Sequence, residues 1–250
     1  MCQLLGVCAN RDVDIRFSFR EWRHRGEDNP HGYGFAHWAD GELRVEKSAS
    51  SLLRRAHSDL EVTAASSRIF LAHVRLKSVG PQDGSNTHPF RATAEGRAFA
   101  FAHNGTVPEV KARPLRQRAP GGQTDSEHAF LLLLEEIAGA SGKELDRRLQ
   151  AAADGIRALG GFNFLLSDGA TLWAYADHSL HFVERSAPFG GRLVTLQDDG
   201  YSVDLAEVKR PGERAVLVAT RPLTDEPGWQ SLEAGELLVV RDGGVADRIR

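Results

Sequence analysis

Cys2 offers the most chemistry of any residue in this sequence, because loss of Met1 would leave a thiol and a free α-amine on one residue. Initiator methionine is normally removed when the next side chain is as small as cysteine. The reference pKa values of a thiol and an α-amine are about 8.5 and about 7.7–8.0, so near neutral pH the amine can accept the thiol proton. Such a residue is both nucleophile and base. The alternative is a small buried side chain that opens the first strand, as we expect of Cys8.

Four further groups of polar residues follow Cys2, each at a predicted strand end, loop or helix start. They are Ala72-His73-Val74-Arg75 with Ser78 and Gly80 downstream, Asn86-Thr87-His88-Pro89-Phe90, Ala102-His103-Asn104-Gly105, and Thr124-Asp125-Ser126-Glu127. A guanidinium fork matches a carboxylate, and a glycine lets a backbone N–H approach a ligand closely. Each group also has a structural alternative: Arg75 as an ion-pair residue, Asn104-Gly105 as a turn, and Asp125 as a helix-start acid.

Three histidines, His73, His88 and His103, recur at even spacing and raise the question of a metal site. The sequence contains no HExxH or comparable ligand spacing, so we expect hydrogen-bonded structural histidines instead. No metal and no cofactor is predicted.

The elements that must position these residues are many short strands around two central helices. Apolar runs and alternation predict strands at 4–8, 34–38, 43–47, 69–75, 98–102, 162–166, 172–176, 180–184, 193–196, 215–219 and 237–240. Asp168-Gly169 and Asp242-Gly243 indicate two-residue hairpin turns. Helices are expected at about 125–138 and 143–159, the first with Thr124 as N-cap and Glu127 at the capping-box position. Hairpin-spaced strands with central helices predict an α+β layered domain rather than a parallel βαβ fold.

The stretch 106–123 is the one long loop expected, rich in proline and glycine. It carries four basic residues, Lys111, Arg113, Arg116 and Arg118. A solvated loop is the simpler interpretation, and a site for an acidic partner or substrate is the alternative.

Composition bounds the remaining possibilities. The 250 residues carry a net charge of -3, with 41% hydrophobic and 26% charged residues, which fits one globular domain over residues 1–250. The charge balance indicates neither a nucleic-acid nor a membrane partner, and two cysteines exclude a disulfide scaffold. The N-terminal apolar stretch is short and soon charged, and no run approaches the roughly 20 residues of a membrane span. We therefore expect a cytoplasmic protein with reduced thiols.

Taken in order, Cys2, H-x-R, N-T-H-P-F, A-H-N-G and T-D-S-E resemble the class II glutamine amidotransferases, which are N-terminal nucleophile hydrolases. The closest resemblance is to their stand-alone YafJ-type branch, which shares Leu4-Leu5-Gly6, a late Phe162-Asn163-Phe164 and Ala187-Pro188-Phe189-Gly190. It spans essentially the whole chain. The sequence departs from the family at Lys77-Ser78, where Ala-Thr is usual, and at His31-Gly32-Tyr33-Gly34, where the family has Asp-Gly-Trp-Gly.

This resemblance implies a four-layer αββα sandwich of two antiparallel sheets. It assigns Cys2 as the nucleophile toward the side-chain carbonyl of glutamine, with the Asn104 amide and the Gly105 backbone N–H as the oxyanion hole. It implies that Arg75 binds the α-carboxylate and Asp125 the α-amino group, and it places Ser78 with the substrate-binding residues.

The leading hypothesis is therefore an amidohydrolase that releases ammonia from glutamine through a γ-glutamyl thioester. One alternative is hydrolysis of a γ-glutamyl amide of a small metabolite. Another is a non-catalytic or partner-dependent subunit that supplies ammonia to a synthase, with residues 111–118 as the first place to look for contacts.

Overall fold

Two antiparallel sheets dominate the computed structural model, which describes residues 2–55, 60–76, 81–189, 192–195 and 202–250. The strands are β1 (Gln3–Val13), β2 (Tyr33–Ala39), β3 (Glu42–Ser48), β4 (Ser67–Val74), β5 (Phe90–Ala94), β6 (Arg97–Thr106), β7 (Gly161–Ser167), β8 (Thr171–Tyr175), β9 (His181–Ser186), β10 (Arg192–Val194), β11 (Ser202–Asp204), β12 (Arg214–Ala219), β13 (Gln230–Ser231), β14 (Leu237–Arg241) and β15 (Gly244–Ile249). The first sheet has the order β13-β9-β12-β1-β4-β2-β3 and the second β15-β14-β8-β7-β6-β5, while β10 and β11 form a separate pair.

The described residues also form four α-helices: α1 (Arg16–Trp22), α2 (Asp125–Glu136), α3 (Gly142–Arg157) and α4 (Leu205–Val208). Three apolar clusters separate the layers. One lies between the sheets, with Leu4 from the first and Leu165 from the second. Another joins the outer face of the second sheet to α2 and α3, and the third joins the outer face of the first sheet to α1. This is the α/β/β/α order of layers that the sequence predicted, and the fold class is confirmed.

The two long helices lie where the sequence predicted them. Thr124 caps α2, its hydroxyl oxygen accepting the Glu127 N–H at 3.2 Å. The Glu127 carboxylate does not complete a capping box in this structure. It accepts the N–H groups of Gly121 and Gly122 at 3.0 and 2.6 Å, and so ties the preceding loop to the first turn of the helix.

Turn chemistry was predicted correctly at one hairpin and incompletely at the other. Asp242 and Gly243, with φ of 49° and 71°, alone connect β14 to β15. The connection from β7 to β8 contains Ala170 as well as Asp168-Gly169, since Asp168 Oδ1 accepts the N–H groups of residues 170 and 171. An aspartate side chain that binds the backbone ahead of it widens such a turn.

Several elements of the structure were not predicted from the sequence. Among them are the edge strands β5 (FRATA) and β15 (GVADRI) and the single seven-residue helix α1. Tertiary contacts decide such segments, because edge strands and short helices are only marginally stable alone. Among the described residues, no helix is long and apolar enough to cross a membrane.

Candidate active site

Cys2 lies directly before β1, which is an interior strand of the first sheet between β12 and β4. The β1–β4 register pairs Leu4 with His73, so continuing the antiparallel ladder sets Cys2 beside Arg75. Thr220 at the end of β12 secures the other side, because its hydroxyl accepts the Leu4 N–H at 2.8 Å. The start of β1 is therefore held by a strand on each side.

The thiol of Cys2 meets the backbone of Leu76, the second residue after β4. Its Sγ lies 3.3 Å from the Leu76 carbonyl oxygen, to which the S–H donates, and 3.2 Å from the Leu76 nitrogen, whose N–H it accepts. Burial raises the pKa of the Cys2 thiol, and the Leu76 hydrogen bond opposes that shift. The resting group is consequently a thiol that needs a base to become a nucleophile.

Asn104 approaches Cys2 from the opposite sheet. On β6 the alternate residues Ala100 and Ala102 pack between the sheets, so the side chain of Asn104 continues on that face. Its Nδ2 donates to the Cys2 carbonyl oxygen at 2.8 Å across 102 positions of sequence. Two of the three residues predicted to be catalytic therefore touch directly.

Gly105 follows with φ of 156°, in the region that favours glycine. A Cβ at this position would overlap the Gly161 carbonyl oxygen on β7. The glycine is thus required by the close approach of two strands. This requirement is independent of any role of its N–H.

Arg75 is buried, and its backbone is fixed by reciprocal bonds. Its N–H donates to Gly32 O at 2.8 Å, and its carbonyl accepts the His31 N–H at 3.1 Å. The guanidinium Nη1 donates to Pro81 O at 3.2 Å, and burial lowers its pKa. The alternative of a surface ion-pair residue does not fit, because the side chain is enclosed beside Cys2.

Asp125 opens α2 on the far side of β6 and is also buried. Its Oδ2 accepts the Val107 N–H at 2.6 Å, and its Oδ1 accepts the Ser126 N–H at 3.0 Å. A carboxylate has about four lone-pair sites, so these two bonds leave acceptor capacity for a further donor. In this structure the Asp125 carboxylate holds the backbone at Val107, which is two residues after Gly105.

His103 faces the helix layer and links it to the sheet. Its Nδ1 lies 2.8 Å from the Ser126 hydroxyl and its Nε2 lies 3.2 Å from the Gly161 carbonyl oxygen. The carbonyl can only accept, so Nε2 carries the proton and Nδ1 accepts from the hydroxyl. Burial lowers the pKa of His103 to about 4, so the ring is neutral.

The expectation of hydrogen-bonded histidines is wrong for the other two. His73 and His88 are fully buried, their ring centroids are 4.3 Å apart, and none of their ring nitrogens has a hydrogen-bond partner among the described residues. Burial lowers the pKa of His73 to about 3 and that of His88 well below its usual value. Sheet packing has enclosed these rings without supplying polar partners. No group of three potential metal ligands occurs in the described part of the chain.

Several residues singled out in the sequence lie outside the described part of the chain, namely Met1, Lys77, Ser78, Gly80 and Gly190. The basic loop is described and contains a short 3₁₀ helix at Pro108–Ala112. Each of its four basic side chains donates a hydrogen bond of 2.6–3.0 Å to another part of the protein. Lys111 donates to Gln123 O and Arg113 to Gly155 O. Arg116 donates to Glu136 Oε1 and Arg118 to Thr93 O. These contacts favour the simpler interpretation of the loop over a binding site for an acidic partner.

Sequence reasoning did not identify Asn163 as a site residue. It lies opposite Asn104 in the β6–β7 register, is fully buried, and donates from Nδ2 to Asn104 O at 3.1 Å. The available signal was a single amide inside the apolar run Phe162-Asn163-Phe164, because such a group is buried only where it is hydrogen-bonded.

Comparison with known proteins gives a consistent result. The family model described as glutamine amidotransferases class-II matches residues 1–250. The glutamine-amidotransferase-like protein YafJ of Escherichia coli (strain K12) is 34% identical over 249 residues, covering 94% of this chain and 96% of that protein. An uncharacterized protein of Methanocaldococcus jannaschii is 39% identical over 252 residues, covering 97% and 70% respectively.

Solved structures agree on the architecture. The 2.0 Å crystal structure of a predicted glutamine amidotransferase from Pseudomonas aeruginosa superposes with a TM-score of 0.74 and 28% identity, over 98% of this chain and all of that one. The glutamine phosphoribosylpyrophosphate amidotransferase of Bacillus subtilis gives a TM-score of 0.64 at 18% identity, over the whole chain and 49% of that one. The latter likeness concerns the fold alone, and it agrees with the sandwich of two antiparallel sheets.

Proposed function

The chain belongs to the class II glutamine amidotransferases, and from that premise we propose that it hydrolyses a γ-glutamyl amide bond with Cys2 as nucleophile. Glutamine is the leading substrate, and the products would be glutamate and ammonia. The observation that carries the proposal is the 2.8 Å contact between the Asn104 amide and Cys2, which joins a candidate nucleophile to a candidate oxyanion donor.

The nucleophile requires a base, since burial raises the pKa of the Cys2 thiol. Removal of Met1 would supply that base, because the freed α-amine of Cys2 has a reference pKa of about 7.7–8.0. The amine takes the thiol proton as sulfur attacks the side-chain carbonyl carbon of the substrate. It then returns the proton to the departing nitrogen, which leaves as ammonia. Water finally cleaves the γ-glutamyl thioester to glutamate and restores the thiol.

The oxyanion formed in each step needs donors aimed at it. The Asn104 side-chain amide and the Gly105 N–H are the two that we propose. Each such donor is worth roughly 10²–10³-fold in rate. Substrate binding would swing the Asn104 amide from the Cys2 carbonyl to the developing charge.

Recognition of the amino-acid end of the substrate is assigned to Arg75 and Asp125. The buried guanidinium beside Cys2 suits a carboxylate, because a planar fork can make two parallel bonds. The spare lone pairs of Asp125 suit an ammonium. Ser78 completes the proposed substrate-binding set.

The test is direct turnover by protein whose intact mass shows loss of Met1. Glutamate and ammonia are measured with glutamine as substrate, and a glutamine-like electrophile followed by peptide mass spectrometry locates the nucleophile. Cys2→Ala should abolish turnover and labelling, while Cys8→Ala, which alters the other buried cysteine, should retain both. An unlabelled Cys2, or undiminished turnover in Cys2→Ala, would refute the proposal.

The same assay distinguishes the substrate alternatives. A γ-glutamyl conjugate of a small amine that turns over far faster than glutamine would identify a metabolite hydrolase. Labelling of Cys2 without glutaminase activity, with turnover restored by a copurifying synthase, would identify a partner-dependent ammonia supplier. A cytoplasmic location and a single domain over residues 1–250 are parts of the same proposal.

A further inference from the structure

Asn163 forms a network of side-chain hydrogen bonds that includes Asn104, the residue whose amide contacts Cys2. Its Oδ1 accepts the backbone N–H groups of Asp177, His178 and Ser179 at 2.9, 3.1 and 3.3 Å. Its Nδ2 donates to Asn104 O at 3.1 Å and lies 3.0 Å from His178 Nδ1. The three N–H donors settle which end of the amide is oxygen, so its donating end faces Asn104.

The Asn163 end of the network lies between the sheets, while the side chain of its partner His178 is 39% exposed. On β7 the neighbours Phe162 and Phe164 pack toward the helices and Leu165 packs toward the first sheet, so Asn163 shares the inner face with Leu165. Asn163 itself is fully buried. The oxygen and one N–H of its amide bond to backbone groups, so the residue bridges β6 and the turn after β8. Its second N–H faces His178 Nδ1, which also lies 3.3 Å from Asp177 Oδ2.

The contact with Asn104 O reaches the proposed oxyanion donor through one rigid unit. The carbonyl of Asn104 and the N–H of Gly105 belong to the same planar trans peptide and point in opposite directions. A donor that holds the carbonyl therefore also aims the N–H. Gly105 restrains the rotation of this peptide less than another residue would, because glycine is conformationally permissive.

We propose that Asn163 is a positioning residue that holds the Asn104–Gly105 peptide in the orientation required of the oxyanion hole. This inference rests on the proposed function. It adds Asn163 on β7 to the residues that orient the oxyanion-hole donors. Through His178 it also connects the crossover from β8 to β9 with those donors. Neither Asp nor Ser can replace it: an ionised aspartate would set a carboxylate against a carbonyl oxygen, and a serine is too short to bridge both sides.

The decisive variant is Asn163→Asp, which preserves shape and the acceptor but loses the donor. We expect kcat to fall by about 10–100-fold, less than deletion of an oxyanion donor, with KM within about threefold of wild type. The reaction of Cys2 with iodoacetamide should stay within about threefold of wild type, because that displacement builds no oxyanion. A merely structural defect would alter both rates together.

Gln150→Glu is the matched control. Gln150 is another buried amide that donates to a backbone carbonyl, Gly235 O, but it lies on α3. The same isosteric loss of a donor should leave kcat unchanged there, with thermal unfolding measured for both variants. If Asn163→Asp does not fold, the uncharged Asn163→Ser replaces it, with the same expected fall in kcat.

The outcomes separate the two levels of the proposal. If wild-type protein cleaves no γ-glutamyl amide, the proposed function fails and this inference falls with it. If wild type is active, the inference alone is overturned by a kcat within about threefold of wild type in the Asn163 variant. A rise confined to KM, an equal loss in Gln150→Glu, or a parallel loss of iodoacetamide reactivity would also overturn it.

Discussion

The buried histidines His73, His88 and His103 should make the fold sensitive to acid well above the range in which carboxylates titrate. Burial lowers the folded-state pKa of His73 to about 3 and of His103 to about 4, and lowers that of His88 well below its usual value. In the unfolded chain each would titrate near 6.5. The unfolded chain therefore binds more protons, so stability is complete above pH 6.5 and is lost as the pH falls toward the folded pKa values.

The magnitude follows from proton linkage. For a group with an unfolded pKa of 6.5 and a folded pKa of 4 or lower, the free energy of unfolding at pH 5 drops by about 2 kcal/mol relative to pH 8. His73 and His103 together give about 4 kcal/mol, a large part of the roughly 5–15 kcal/mol by which domains are stable, and His88 adds a loss in the same direction. Carboxyl groups with lowered pKa, such as Asp14 and Glu236, contribute mainly below about pH 4.5.

Urea unfolding at pH 8, 7, 6 and 5 measures this loss, and a variant assigns it. His88→Phe removes one titrating ring whose nitrogens have no hydrogen-bond partner in the described structure, so it should cost little at pH 8. It should reduce the loss between pH 8 and pH 5, because one buried ring with a lowered pKa is removed. His24→Phe, at a side chain that is 28% exposed, controls for the effect of the substitution itself.

The reasoning is refuted if the free energy of unfolding is constant within about 1 kcal/mol from pH 8 to pH 5. It is equally refuted if His88→Phe and His24→Phe change the pH dependence by the same amount. Histidine ring resonances followed by NMR give a separate check, since the three buried rings should stay neutral at pH 5.

Three further predictions concern the candidate site. Gly105→Ala should lower kcat by more than about 10²-fold and reduce the thermal midpoint, because a Cβ there would overlap Gly161 O; activity and calorimetry check both. Arg75→Lys should raise KM for glutamine by about tenfold or more with a smaller change in kcat, because a point charge replaces the guanidinium fork. Steady-state kinetics measure both constants, and a large fall in kcat with little change in KM would contradict the prediction. Asp125→Asn should raise KM, and it should lower the free energy of unfolding by about 1–3 kcal/mol, since the new NH₂ group would face one of the two backbone N–H donors. Unchanged urea unfolding would argue against these two hydrogen bonds.

The layered fold was predictable because its signals are local. Apolar alternation identified the interior strands of both sheets, and Thr124 marked the start of α2. The edge strands β5 and β15 were missed because their short segments, FRATA and GVADRI, contain no dense apolar run and their pairing partners supply the stability. The third residue of the β7–β8 turn was missed because Asp168 binds the backbone ahead of it.

The candidate site was predictable in its members but not in its arrangement. Cys2, Arg75 and Asn104 could be selected from residue type and order, yet the burial of Arg75 and its position beside Cys2 arise from the β1–β4 register. The bond between Asp125 and the Val107 N–H had no sequence signal, because it depends on how α2 docks against β6.

What the sequence determined by itself is the set of reactive residue types, their order and the elements that carry them, because periodicity and capping act over a few residues. Tertiary structure alone decided that Asn104 reaches Cys2 and that Asn163 bonds to the Asn104 carbonyl. It also decided that two histidines lie buried with no hydrogen-bond partner among the described residues. These contacts join residues far apart in the chain, and they exist only once two sheets have packed face to face. Whether a polar group enclosed by close packing finds a hydrogen-bond partner depends on the residues that surround it in the folded protein, and no local sequence pattern determines this.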